Sequence, residues 1–199
     1  MYILEGKDVD VIQPFPSSAV AAVIGWMHCY KSFVIGDDGP PTDEEFVQHI
    51  YQILSNPAVL TAGVIDKNNL TKSEQSDIPL VGLFYYEPSG LCDGYVHVTS
   101  NRRAWGTKVA QPSLMEQAAE LCIADLFQRI PSLHRLSSSI ISTNRAAINF
   151  AKRLGFSQDG YFEKKIIQNG KPKDVVHLAL LRETFNGQHE NINSTTVSV

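Results

Sequence analysis

Strand alternation over residues 93–99 puts Asp93, Tyr95, His97 and Thr99 on one face of one short segment. An imidazole that titrates near neutrality beside carboxylates is equipment for taking a proton from a nucleophile. Glu87, at the end of the preceding apolar run, is a third proton acceptor. Each has a plainer role too: Asp93 as a turn residue, His97 as a half-buried and hydrogen-bonded histidine, Glu87 as a charge closing a hairpin. A second cluster follows, in which Arg102, Arg103 and Lys108 surround Gly106 just ahead of a long helical pattern. Without the glycine and the helix this would read as a solvated loop. With them it reads as an anion site, because backbone N–H groups at a helix start attract negative charge.

The elements that must position these groups can be traced from periodicity and breakers. Residues 1–12 read as one strand ending before Pro14 and Pro16. Ser17 or Ser18 could cap a helix running to about Tyr30 through Val20, Val23, Ile24 and Met27. Thr42 and Glu45 have capping-box spacing, and the next helix carries Phe46, Ile50, Ile53 and Leu54 and stops before Pro57. Strands follow at 59–65, 80–86 and 94–99, with a polar loop at 67–77. A long helix spans about 112–128, with Pro112 suited to its first position. A strand at 135–141, a helix at 144–154 capped by Thr143, and Gly155 as its left-handed stop come next. Strands at 161–167 and 175–181 flank Asn169-Gly170, a hairpin turn signal. Residues 186–199 are polar and small, a frayed tail.

The 199 residues suffice for one domain with a full core. A net charge of -4 gives no bulk drive towards nucleic acid, which is not expected as a partner. Cys29, Cys92 and Cys122 lack metal or disulfide spacing and read as buried free thiols in a reducing compartment, so the expected location is cytoplasmic. The histidines form no metal-binding pair, and no metal is expected. No apolar run is long enough to span a membrane, and the N-terminus lacks signal-peptide character.

The order of elements, with Arg103-Ala104-Trp105-Gly106 before the long helix, Asn144-Arg145-Ala146-Ala147 opening the next and Leu154-Gly155-Phe156 closing it, resembles the core of the GNAT superfamily of N-acyltransferases. The resemblance covers roughly residues 58–183. It implies an α/β (α+β) fold with a mixed, mostly antiparallel sheet of about seven strands and about four helices. The fourth and fifth strands, 94–99 and 135–141, splay apart. A single acyltransferase domain would span 1–185, with 186–199 as its tail.

The resemblance also implies acetyl-CoA as the acyl donor. Arg103, Ala104, Trp105, Gly106, Thr107 and Lys108 correspond to the loop that holds the pyrophosphate. Lys108 stands where the family prefers Gly or Ala, and the stretch from Gly106 to Asn144 is longer than usual, with 109–112 and 130–132 as the added segments. Main-chain groups of Val96, His97 and Val98 would bind the pantetheine arm, one N–H polarising the thioester carbonyl. Asn144 would contact pantetheine; Ala147 and Phe150 would face the cofactor or the core.

The implied reaction is direct attack of a primary amine, on a small molecule or a protein, in a ternary complex. Asp93 and His97 stand level as the base, with Glu87 third. The tyrosine that often serves as the acid is missing, since its position holds Ala151; water or Tyr161 could substitute. Two other readings stay open: a non-catalytic GNAT-fold binding or assembly module, and an acyltransferase using a larger acyl-CoA. Family members also form homodimers, which the sequence does not decide.

Overall fold

A computed structural model describes residues 2–29, 42–68, 80–101, 104, 112–168 and 170–187, with the side chains at 22 and 26–29 left aside. The expected first strand is two strands. β1 (Tyr2–Glu5) and β2 (Val9–Gln13) pair antiparallel, and Gly6 closes the turn by donating its N–H to the Val9 carbonyl at 2.8 Å. A Cβ on Gly6 would lie 2.7 Å from that same oxygen, so the turn requires glycine. After a 3-10 turn at Ser17–Ala19 comes α1 (Val20–Cys29). Next, α2 (Asp43–Ser55) begins with the expected capping box, in which Thr42 Oγ1 accepts from Glu45 N–H and Glu45 accepts from Thr42 N–H.

β3 (Leu60–Asp66), β4 (Leu80–Pro88) and β5 (Asp93–Ser100) form an antiparallel meander. α3 (Leu114–Arg129) starts two residues later than Pro112 would set it. Ser113 is its cap, because its hydroxyl accepts from Glu116 N–H and Glu116 answers with its carboxylate. β6 (Arg135–Ile141) leads to α4 (Arg145–Arg153), where Asn144 and not Thr143 supplies the cap, its side-chain oxygen accepting from Ala147 N–H at 3.2 Å. Gly155 follows at φ 90 as the left-handed stop. β7 (Ser157–Gln168) and β8 (Lys171–Leu181) make the last hairpin, with Gly170 at φ 68 in its turn; Asn169 lies outside the described residues. Residues 182–187 form a last helical turn, α5.

The eight strands run in the order β1-β2-β3-β4-β5-β6-β8-β7. Each face has its own core. Val11, Phe84, Tyr86, Val96, Val176 and Leu178 point to α3 and α4, while Ile12, Phe15, Leu83 and Tyr85 point to α1 and α2. The switch between neighbours such as Val11/Ile12 and Phe84/Tyr85 is the period-2 alternation of a sheet covered on both sides.

Candidate active site

β5 and β6 run parallel, and they pair only at Asp93↔Arg135, Gly94↔Leu136 and Tyr95↔Ser137. Beyond Tyr95 and Ser137 the strands part. This is the expected splay, and backbone parity shows what it releases. Asn101 N–H donates to the Val81 carbonyl and Ser89 N–H to the Asp93 carbonyl, so odd-numbered residues of β5 bond to β4. Even-numbered Val96 sits at the fork, and Val98 beyond it turns its main chain into the gap. On β6, Ser142 N–H donates to Asp174 and Arg182 N–H to His134, so even residues bond to β8 and Ser139 faces the gap. The main chain of His97 is therefore committed to Tyr85 on β4, its register partner. It does not share the backbone role expected with Val96 and Val98.

A cavity of about 850 Å³ fills the fork and passes through the sheet. On the α4 side its wall includes Val96, Val98, Asn144, Ala147, Phe150 and Ala151. On the α1/α2 side it includes Tyr85, Tyr95, His97, Ser139, His177 and, from α2, His49. Face assignments follow from packing. Val96 and Val176 belong to the α3/α4 core, so Tyr95, His97 and His177 lie opposite.

The three candidate bases separate here. His97 lies on the cavity wall, stacked on Tyr85 with ring centroids 4.4 Å apart and planes 5° from parallel. Its Nε2 sits 3.0 Å from Glu87 Oε2. That nitrogen is buried and makes no well-directed hydrogen bond, so the contact is an ion-pair approach. The His97 ring, with His49 also contributing, outweighs burial and holds the Glu87 carboxyl below its ordinary range. Burial, with the Glu87 charge behind it, pushes the Tyr85 hydroxyl well above its own. Glu87 is thus a carboxylate and Tyr85 a neutral phenol across the physiological range. Asp93 shares the face of His97 but sits where the strands still pair. Its carboxylate accepts from Ser137 Oγ at 3.0 Å and from Gly94 N–H at 2.7 Å, with Arg135 Nε 3.5 Å away. It fastens the closed end of the fork and is not on the cavity wall.

The expected cofactor residues also divide. Asn144, Ala147 and Phe150 line the cavity, Phe150 serving the core as well. With the Asn144 oxygen engaged in capping, its NH2 is the group left for a ligand. Ala104 is fully buried in the core and donates its N–H to Asn101, so it offers a phosphate neither side chain nor N–H. Arg103, Trp105, Gly106, Thr107 and Lys108 lie outside the described residues. The start of α3 that follows them is tied to the end of α4 by an ion pair between Arg153 and the cap residue Glu116. Burial pulls the Glu116 carboxyl up, but Arg153 and Ser113 together outweigh it and hold it below its ordinary 4.5.

No curated relative matches the chain by sequence. Among solved structures, a GCN5-related N-acetyltransferase from Brucella melitensis superposes with a TM-score of 0.71 at 15% identity, covering 97% of this chain and 84% of that one. The ribosomal-protein-S5-alanine acetyltransferase of Vibrio fischeri gives 0.66 at 18% identity, covering 92% and 98%. The spermidine N-acetyltransferase of Vibrio cholerae, solved with coenzyme A and spermine, gives 0.68 at 13%, covering 90% and 98%. These likenesses establish the fold. Residues 108–177, from the loop before α3 through most of the final hairpin, match the family model described as an acetyltransferase (GNAT) domain. That stretch is 70 of the 199 residues, and over it the chain is similar to GNAT acetyltransferases.

The chain keeps the fork, and Ala151, at the position where the resemblance led to the expectation of a tyrosine, is on the cavity wall. Tyr161 does not fill that place. Its hydroxyl donates to Asp174 at 2.5 Å, and it pairs with Val176 away from the cavity wall. Sequence reasoning missed the far wall of this cavity: Tyr95 as a lining residue, His177 with Nδ1 3.1 Å from Ser139 Oγ, and Phe162 and Lys165 on β7. For Tyr95 the signal was the alternation over 93–99, and for the hairpin residues it was period-2 alternation in the last hairpin. That signal places His177 opposite Val176 but cannot say which cavity it faces.

Proposed function

We infer that this protein transfers an acetyl group from acetyl-CoA to a primary amine by direct attack within a ternary complex. The observation that carries this reading is the cavity through the fork. It joins released main chain at Val98 to the His97 ring on the α1/α2 side, with Glu87 beside that ring. The pantetheine arm enters from the α4 side, lies against Val96 and Val98 like an added strand, and meets Asn144. Arg103 and the loop to Lys108 take the pyrophosphate. The Val98 N–H faces the fork, where it can donate to the thioester carbonyl as charge develops on oxygen.

The amine enters from the α1/α2 side. Its nitrogen attacks the acyl carbon, the N–C bond forms and the C–S bond breaks. His97 takes the amine proton on Nδ1, since Nε2 is beside Glu87, and the Glu87 carboxylate stabilises the imidazolium. The thiolate leaves and takes a proton from water; Tyr95 is the phenol on the wall nearest the fork apex. Cys122 is a buried free thiol as expected and Cys92 an exposed one against that expectation; two free thiols accord with a cytoplasmic setting. Among the described residues no helix is long and apolar enough to cross a membrane.

Calorimetric titration with acetyl-CoA, paired with amine-dependent release of the coenzyme A thiol, tests the reading. Micromolar 1:1 binding and amine-dependent thiol release are expected, and Arg103→Glu should weaken binding by placing an anion against the pyrophosphate. A folded sample that binds no acetyl-CoA would refute the proposal and favour a non-catalytic GNAT module.

A further inference from the structure

Among the described residues the acceptor half of the cavity and its surroundings carry few charges, and all but one are matched. Glu87 is beside His97, and Asp159 is held by Arg135, which also reaches Asp93. Lys165 lines the same cavity and has no carboxylate partner among the described residues. Its Nζ lies over the Phe162 ring, 5.8 Å from the centroid. Phe162 in turn packs edge-on against His177, 6.3 Å between centroids. That contact puts the ammonium on the side of the sheet where His97 lies.

The backbone supplies a second, independent observation. β7 pairs with β8 at Phe162↔Val175 and next at Ile166↔Lys173, so 163–165 form a bulge opposite Asp174 alone. Lys164 in that bulge has φ 49, a left-handed conformation that costs a non-glycine residue roughly 1 kcal/mol. Asp174 holds the bulge closed, accepting from Lys164 N–H at 2.8 Å and from Tyr161 hydroxyl at 2.5 Å. A bulge held in this way takes the next side chain out of the ladder and re-aims it. Here that side chain is Lys165.

We propose that the acceptor is an amine that also bears a carboxylate, which Lys165 binds at the mouth of the acceptor half. One ammonium matches one unit of negative charge. A dianionic phosphate would leave one unit of charge unmatched by this single ammonium. A polycationic amine would meet an unmatched positive charge at the entrance. The carboxylate could belong to a free amino acid or to an acidic residue of a peptide. The inference rests on the acyltransferase reading above.

The test compares kcat/KM for butylamine, 4-aminobutanoate and 1,4-diaminobutane. It does the same for peptides with free N-termini that differ only by Glu, Gln or Lys at the second position. Wild type should favour the carboxylate member of one series by about tenfold over its neutral analogue, and by more over the cationic one. Which series responds identifies the source of the carboxylate. Lys165→Glu should reverse the order, and Lys165→Arg should keep it. Indifference to charge in wild type, or an order unmoved by Lys165→Glu, overturns the inference. If no probe is acetylated by protein that binds acetyl-CoA, the acyltransferase reading falls. Equilibrium binding of the same probes to coenzyme A-loaded protein then decides the charge preference, and equal or absent binding overturns it.

Discussion

Replacing His97 by Gln removes the group assigned to proton transfer while keeping a polar side chain of similar reach. General-base assistance contributes roughly 10²–10⁴-fold. We therefore expect kcat to fall about 10²–10³-fold, or about 3–4 kcal/mol of transition-state stabilisation. The Glu87→Gln effect must be smaller. The two side chains are 40% and 42% exposed, so solvent screens their 3.0 Å contact. An ion pair of that kind is worth about 1 kcal/mol, or about fivefold in rate. Glu87 acts only through the ring, so the double variant should match His97→Gln alone and not the product of the two effects. Thiol release measured from pH 5 to 9 is the assay. The shape of the kcat/KM profile should change in His97→Gln, because the base that takes the amine proton has been removed. Calorimetry guards against a folding artefact, since acetyl-CoA affinity should hold while the lost stack on Tyr85 costs about 1 kcal/mol of stability. Multiplicative losses in the double variant, or an unchanged pH profile in His97→Gln, would refute the dyad.

Gly94→Ala should destabilise by about 1–3 kcal/mol in urea unfolding. A Cβ there would sit 2.2 Å from the ring of Tyr86, itself only 4% exposed, and Tyr86→Leu in the same chain should recover part of the loss. Asn144→Ala removes the α4 cap and should cost about 1 kcal/mol with weaker coenzyme A binding, read by unfolding and calorimetry. Glu116→Gln keeps the capping geometry but loses the charge facing Arg153, for about 1 kcal/mol because Arg153 is 56% exposed. The sign of its pH dependence follows from a folded pKa below 4.5. The stabilisation is present above that value and disappears as pH falls through the lower folded value, so thermal midpoints of wild type and variant should converge in acid.

Local signals were legible where they act locally. The Thr42/Glu45 capping box, Gly155 as a helix stop and the hairpin glycine at 170 all rest on the conformations of a few adjacent residues. The face shared by Tyr95 and His97 was legible for the same reason. Misreadings arose where alternatives were close. Continuous alternation through residues 1–12 hid the tight turn at Gly6, and Pro112 competed with Ser113 for the start of α3. Asp93 was assigned to the site because strand parity gives a face and not a position along the fork. Its bonds to Ser137 and Arg135 exist only once β6 lies beside β5. Lys165 and His177 reach the cavity through the pairing of β6 with β8 and a bulge in β7, contacts between segments far apart in the chain.

The fork also has a mechanical meaning. Five strands lie on one side of it and three on the other, and the ladder between these half-sheets is three residue pairs long. A ligand laid along Val98 extends the ladder past the point where the strands part. Its affinity is then also cohesion between the half-sheets, and each increment of binding raises the global unfolding free energy by mass action. Exchange of the Val98 amide with solvent deuterium tests this splice directly: it faces the gap in the free protein, and a ligand laid along β5 should slow its exchange.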